Sequence, residues 1–184
     1  MSIKREEKHL PILIAICFAG NFLCGAIGQS FSTGSFWQLF SWQWSSLLFM
    51  AGASLYAAKL HTDKWHISSA GFILVSIGQG IIFTIQDPTH SKESQELFAS
   101  AIMVFLPGML FLCYYSGFPV WLRILGLISM IPFLISMIKI DMKNFDVNKD
   151  NWLNVTGFIM IQVLGLFWSY FALRPNKKIG VQDE

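Results

Sequence analysis

The sequence predicts an all-α, polytopic membrane protein: a single bundle over residues 1–184, with six transmembrane helices and both termini cytoplasmic. Three observations lead there. Hydrophobic residues make up 54% of the chain and charged residues only 13%, against about 25% charged in an ordinary soluble domain. Apolar runs close to the ~20 residues needed to span a bilayer recur along the chain. Lysines and arginines then sort to one side when those runs are threaded alternately through a membrane.

Residues 10–29 form the first run. It ends in Gly-Gln-Ser rather than at a small-residue cleavage site, so it reads as a retained helix and not a signal peptide. Residues 37–58 form the second. Its apolar centre, Leu47–Ala58, is short, and it reaches spanning length only by including Gln38, Ser41, Gln43, Ser45 and Ser46. The other four, 67–86, 97–118, 120–138 and 152–173, are plainly apolar. The loops between them are too short to fold as soluble domains.

Charge favours a crossing by the second run. With six spans, Lys4, Arg5, Lys8, Lys59, Lys64, Arg123, Arg174, Lys177 and Lys178 fall inside, and Lys92, Lys139, Lys143 and Lys149 fall outside. Without that crossing the two sides nearly balance, against the positive-inside rule. In the six-span register Trp37, Trp42, Trp44 and Trp152 lie at the outer interface, and Trp65, Trp121 and Trp168 at the inner one, where tryptophan is favoured.

Polar residues inside the spans are the candidate site. Asn21, Gln79 and Gln162 lie about 10–12 residues into their runs, roughly 15–18 Å deep and near the middle of a ~30 Å core. Pro107 and Pro132 fall at the same level and predict kinks with a freed carbonyl. Ser76 lies nearby. Hydrocarbon offers these groups no hydrogen bonds. Two roles fit them: amide links between helices, or the lining of a neutral polar pocket. Gly20, Cys24 and Gly28 form a small-residue stripe for close helix packing, with Asn21, Gly25 and Gln29 on the adjoining stripe.

The spans carry no Asp, Glu, Lys, Arg or His away from their ends. Proton-coupled carriers and voltage sensors rely on such groups, as does buried acid–base catalysis. An enzyme is therefore not expected. A net charge of +2 without a basic face argues against nucleic acid. Cys17, Cys24 and Cys113 lack metal or disulfide spacing, and no cofactor is implied.

Two loops carry ligand-type side chains. Asp146, Asn148 and Asp150 match the opening of a calcium loop, but position 12 is Gly157, which cannot coordinate. A polar cap for the last helix, supplied by Asp150 or Asn151, explains the stretch as well. His61, Asp63 and His66 share the inner loop at a spacing that does not place the histidines on one helix face. The Asn154-Val-Thr156 triplet is a glycosylation sequon by pattern. "GFILVSIGQG" from Gly71 and "GFIMIQVLGL" from Gly157 echo each other, as in inverted transporter repeats.

The segment "YYSGFPVWLRILGLISMIPFLI", with Pro119, Trp121, Leu122 and Gly126, resembles a helix hairpin of uncharacterised six-helix bacterial inner-membrane proteins known only as domains of unknown function. The resemblance covers little more than that hairpin. It implies six helices in a bacterial inner membrane and no activity.

The expected function is a non-enzymatic membrane component: an accessory or regulatory subunit, or an oligomerising bundle. The alternative is a small carrier or channel for a neutral or lipid-like molecule that uses the midplane layer. Expected partners are the lipid bilayer, a second copy of the chain or another membrane protein.

Overall fold

A computed structural model describes residues 3–32, 34–85, 92–144 and 146–174. They form α1 (Ile3–Gln29), α2 (Phe36–Thr62), α3 (His66–Thr84), α4 (Lys92–Leu112), α5 (Val120–Asp141) and α6 (Val147–Leu173). Five contain stretches long and apolar enough to cross a membrane: His9–Gln29, His66–Thr84, Glu93–Leu112, Val120–Asp141 and Trp152–Leu173. The exception, α2, is as long as α1, but its first half holds the five polar residues named above.

That first half begins with a reciprocal cap. Ser35 accepts from the Gln38 amide at 3.3 Å, while the Gln38 side chain accepts from the Gly34 amide at 2.7 Å. Ser-x-x-Gln is a capping-box pattern, so Gln38 serves the helix start.

One expected boundary needs correction. The fourth span was placed at 97–118, but α4 ends at Leu112. Residues 113–115 tighten into three-residue turns, and the Arg123 guanidinium donates to the Cys113 carbonyl at 3.1 Å, capping the end. The aromatic, apolar makeup of residues 114–118 hides this turn from hydropathy. At the last span, α6 begins at Val147, and its apolar stretch is Trp152–Leu173, the expected span. Gln86, the expected end of the third span, lies outside the described residues.

Two helices end in a Schellman turn with lysine at the left-handed position. Lys64 (φ 64°) follows α2, and Lys143 (φ 56°) follows α5. In each turn the next amide reaches back five residues, Trp65 to Leu60 and Asn144 to Lys139, both at 2.8 Å. Glycine is the usual residue there, which is why neither stop was visible in sequence.

The helices form a closed ring. Each packs on its sequence neighbours, and α1 meets α6. Along the α1–α2 seam, Gly28 faces Trp42, Gly20 faces Leu48 and Gly52 faces Phe18. The two helices are therefore antiparallel over nearly their whole length, and the small-residue stripe of α1 is this seam. On the other side of α2, Ser46 meets Gln79, Ser54 meets Ser76 and Ala57 meets Ser69.

Aromatic side chains close the middle of the ring. Phe18, Phe49, Phe72 and Trp168, from α1, α2, α3 and α6, are each 2% exposed or less. Trp168 meets Phe72 at 5.1 Å, Phe18 at 5.5 Å and Phe49 at 6.2 Å between ring centres. Phe105 of α4 joins through Phe49. Trp168, expected at the inner headgroup level, is buried among these rings. Trp37, Trp42, Trp44, Trp121 and Trp152 are exposed, as interface anchors should be.

The two echoing glycines occupy different seams. Gly71 packs on Gly108 of α4, whereas Gly157 packs on Phe133 of α5. An inverted repeat would place Gly157 against α1.

Candidate functional site

The midplane residues do not converge on one another. They separate into contacts between neighbouring helices, and α2 supplies most of the partners. The Ser45 hydroxyl donates to the Asn21 side-chain oxygen at 2.7 Å and lies 2.9 Å from the Asn21 carbonyl. Gln79 donates to Ser46 at 2.9 Å. The Ser76 hydroxyl lies 3.1 Å from that of Ser54 and 3.2 Å from the Met50 carbonyl. Serine hydroxyls in membrane helices satisfy amides and carbonyls in this way. In sequence, Ser45, Ser46 and Ser54 only diluted a doubtful span; their alternation with aromatic residues carried no sign of partner choice.

Gln162 is different. A Cβ placed on Gly25 would lie 1.9 Å from Gln162 Nε2. The Gln162 amide thus fills the space left by the missing side chain on α1. Among the described residues no hydrogen bond reaches that amide. Asn21 Nδ2 is likewise buried without a partner. Both groups sit in the α1–α6 seam.

Pro107 and Pro132 are half-buried, and α4 and α5 continue as helix through them. The two best-formed pockets touch none of Asn21, Ser76, Gln79, Gln162, Pro107 and Pro132. The candidate layer is therefore three polar seams, at α1–α2, α2–α3 and α1–α6, around an aromatic centre.

At the start of α6, Asp150 acts as an anchor. Its Oδ1 accepts from Lys139 at the end of α5, and its Oδ2 accepts from the Asp146 amide at 3.0 Å. Asp150 was expected to cap the helix from just outside; instead it lies inside α6 and reaches back four residues. Asp146 also lies 3.8 Å from Lys149. The Asn148 side chain lies outside the described residues. A calcium ion here would have to displace the Lys139 ammonium. Among the described residues no three ligand-type side chains converge on a metal-sized space.

The Lys139 bond, followed by the Asp146 amide, holds the Asp150 carboxyl below its usual range; burial opposes this more weakly. A depressed carboxylate contributes stability above its unfolded pKa of about 3.9 and loses it as pH falls through the lower folded value. Unfolding midpoints should therefore be flat near neutrality and fall below about pH 4. In Asp150→Asn the neutral-pH midpoint should drop and this part of the acid limb should vanish. Adding calcium to the parent should leave its midpoint unchanged; a calcium-dependent rise lost in Asp146→Asn/Asp150→Asn would reinstate a cation site.

The α2–α3 turn does bring His61 and His66 together, with Nδ1 atoms 3.3 Å apart, because the Lys64 turn folds α2 back onto α3. Asp63 pairs with Lys59 at 2.9 Å. The sequon Asn154 is buried within α6 and accepts from Ser136 at 2.7 Å. Asp87 and His90 lie outside the described residues.

No protein-family model, curated protein or solved structure matches the chain.

Proposed function

We propose that the chain is a six-span integral membrane protein with both termini cytoplasmic, acting as a non-enzymatic membrane component: an accessory or regulatory subunit, or a self-assembling bundle. One observation carries this reading: the ring is closed at its centre by Phe18, Phe49, Phe72 and Trp168, and neither of the two best-formed pockets among the described residues reaches the amides. The absence of ionisable groups from the span interiors supports the non-enzymatic part.

A crossing by α2 is supported by three of its polar side chains having partners inside the protein. Gln38 caps the helix, Ser45 bonds Asn21 and Ser46 bonds Gln79. Satisfied polar groups lower the cost of placing this helix in hydrocarbon. Its outward face supports a partner. Phe36, Trp37, Phe40 and Trp44 form an exposed ring ladder, with Gln43 exposed beside it. A lipid-facing amide gains from a second protein surface. A bacterial inner membrane is the proposed location, on the hairpin around Pro119.

A second reading, a carrier for a small neutral molecule, is favoured by the Asn21 side-chain nitrogen, buried without a partner, in the same seam as the Gln162 amide.

Cysteine accessibility in a cysteine-free background tests the topology. Ser32→Cys and Thr62→Cys should label from opposite sides, and Asn148→Cys from the same side as Ser32→Cys. Labelling of positions 32 and 62 from one side would remove the α2 crossing. Proteoliposomes should pass glycerol and urea no faster than empty vesicles. Faster flux, abolished by Gln162→Leu, would replace the proposed role with the carrier.

A further inference from the structure

A groove lies on the outside of the ring, where the first turn of α5 meets the second half of α6. Its volume is about 620 Å³. Its walls include Pro119, Trp121, Val163, Phe167 and Phe171, and Arg174 stands at its end. From Val163 to Arg174 the groove follows α6 for eleven residues, about 16 Å at helical rise, close to half of a ~30 Å hydrocarbon core. It is therefore an apolar channel about one leaflet deep that opens to the membrane side and ends at a cation.

The cation is held in place. Arg174 donates to the Tyr170 hydroxyl, and its guanidinium lies 4.5 Å from the Tyr170 ring centre and 5.4 Å from that of Phe171. Among the described residues no carboxylate pairs with it. Trp121, 49% exposed, packs edge-on against Phe167 across the groove. Arginine presents a planar donor fork suited to phosphate oxygens. Lys177 and Lys178 follow within four residues in sequence.

We propose that this groove is a binding site for an anionic phospholipid, with an acyl chain along Val163, Phe167 and Trp121 and the headgroup phosphate at Arg174. Basic pockets between membrane helices select acidic headgroups in this way. The proposal rests on the membrane-spanning reading of α5 and α6, but not on the crossing of α2 or on any activity.

Brominated lipids test it, because bromine on an acyl chain quenches a nearby indole. The full-length protein is placed in phosphatidylcholine nanodiscs with a minor fraction of dibrominated phosphatidylglycerol or dibrominated phosphatidylcholine. The Trp121 signal is taken as the difference between the parent and Trp121→Phe. Half-maximal quenching should need about five-fold less phosphatidylglycerol than phosphatidylcholine, the effect of one basic side chain near an anionic surface. Arg174→Gln should remove the preference and Arg174→Lys should retain much of it; Val163→Trp, which fills the groove, should weaken quenching by both lipids. Equal quenching by the two lipids in the parent would leave only ordinary boundary lipid and overturn the site. A protein that alkaline carbonate extracts from vesicles would instead remove the spanning reading, an outcome distinct from loss of headgroup preference.

Discussion

Trp168→Ala is expected to cause the largest loss of stability of any single core substitution. Its indole touches rings from three other helices, so its removal opens the centre of the bundle. Large-to-small changes of aromatic core residues cost about 3–5 kcal/mol. The lower figure is expected here, because lipid already solvates apolar side chains on separated helices and only packing is lost. Trp168→Phe should recover most of it. Equilibrium unfolding in mixed detergent micelles reads both values. The same variant bears on function: if the aromatic centre is a structural plug, Trp168→Ala vesicles should remain tight to glycerol, whereas a leak would place a latent pathway behind it.

Gly71→Ala and Gly108→Ala are expected to loosen the α3–α4 pair. A Cβ on Gly71 would come 2.8 Å from the Gly108 carbonyl oxygen, and one on Gly108 would come 2.9 Å from the Gly71 oxygen. Both obstacles are backbone, which cannot swing aside as a side-chain end can. Overpacking of this kind costs about 1–3 kcal/mol, and valine at either position should cost more. Gly80→Ala is the control, since its Cβ would meet only Met50 Cε at 3.4 Å. Unfolding midpoints that fail to separate Gly71→Ala and Gly108→Ala from Gly80→Ala would mean that the two backbones are not in contact.

Much of the candidate site was legible in composition and little in geometry. Asn21, Gln79 and Gln162 stood out because amides are costly in hydrocarbon. Their partners did not, because serines on α2 look the same whether they face lipid, a helix or water. Shared depth suggested one layer. Depth, however, is only one coordinate: rotation about each helix sent Asn21 toward Ser45, Gln79 toward Ser46 and Gln162 toward Gly25. Asp150 marked a helix start in the chain, yet its bond to Lys139 depends on the turn at Lys143 folding α5 back on α6.

The sequence by itself determined an all-helical chain with apolar runs of membrane-spanning length, its small-residue stripe on α1 and the lack of ionisable side chains inside those runs. These follow from local composition and from the period of a single helix. The tertiary structure decided which faces meet: the closed ring, Trp168 buried at its centre, α4 ending at Leu112, and a groove beside α6 that reaches Arg174. Apolar surface is nearly interchangeable in lipid, so hydropathy places a helix in the bilayer without orienting it. Shape fit between helices, at Gly71 against Gly108 or Gly25 against Gln162, supplies the orientation.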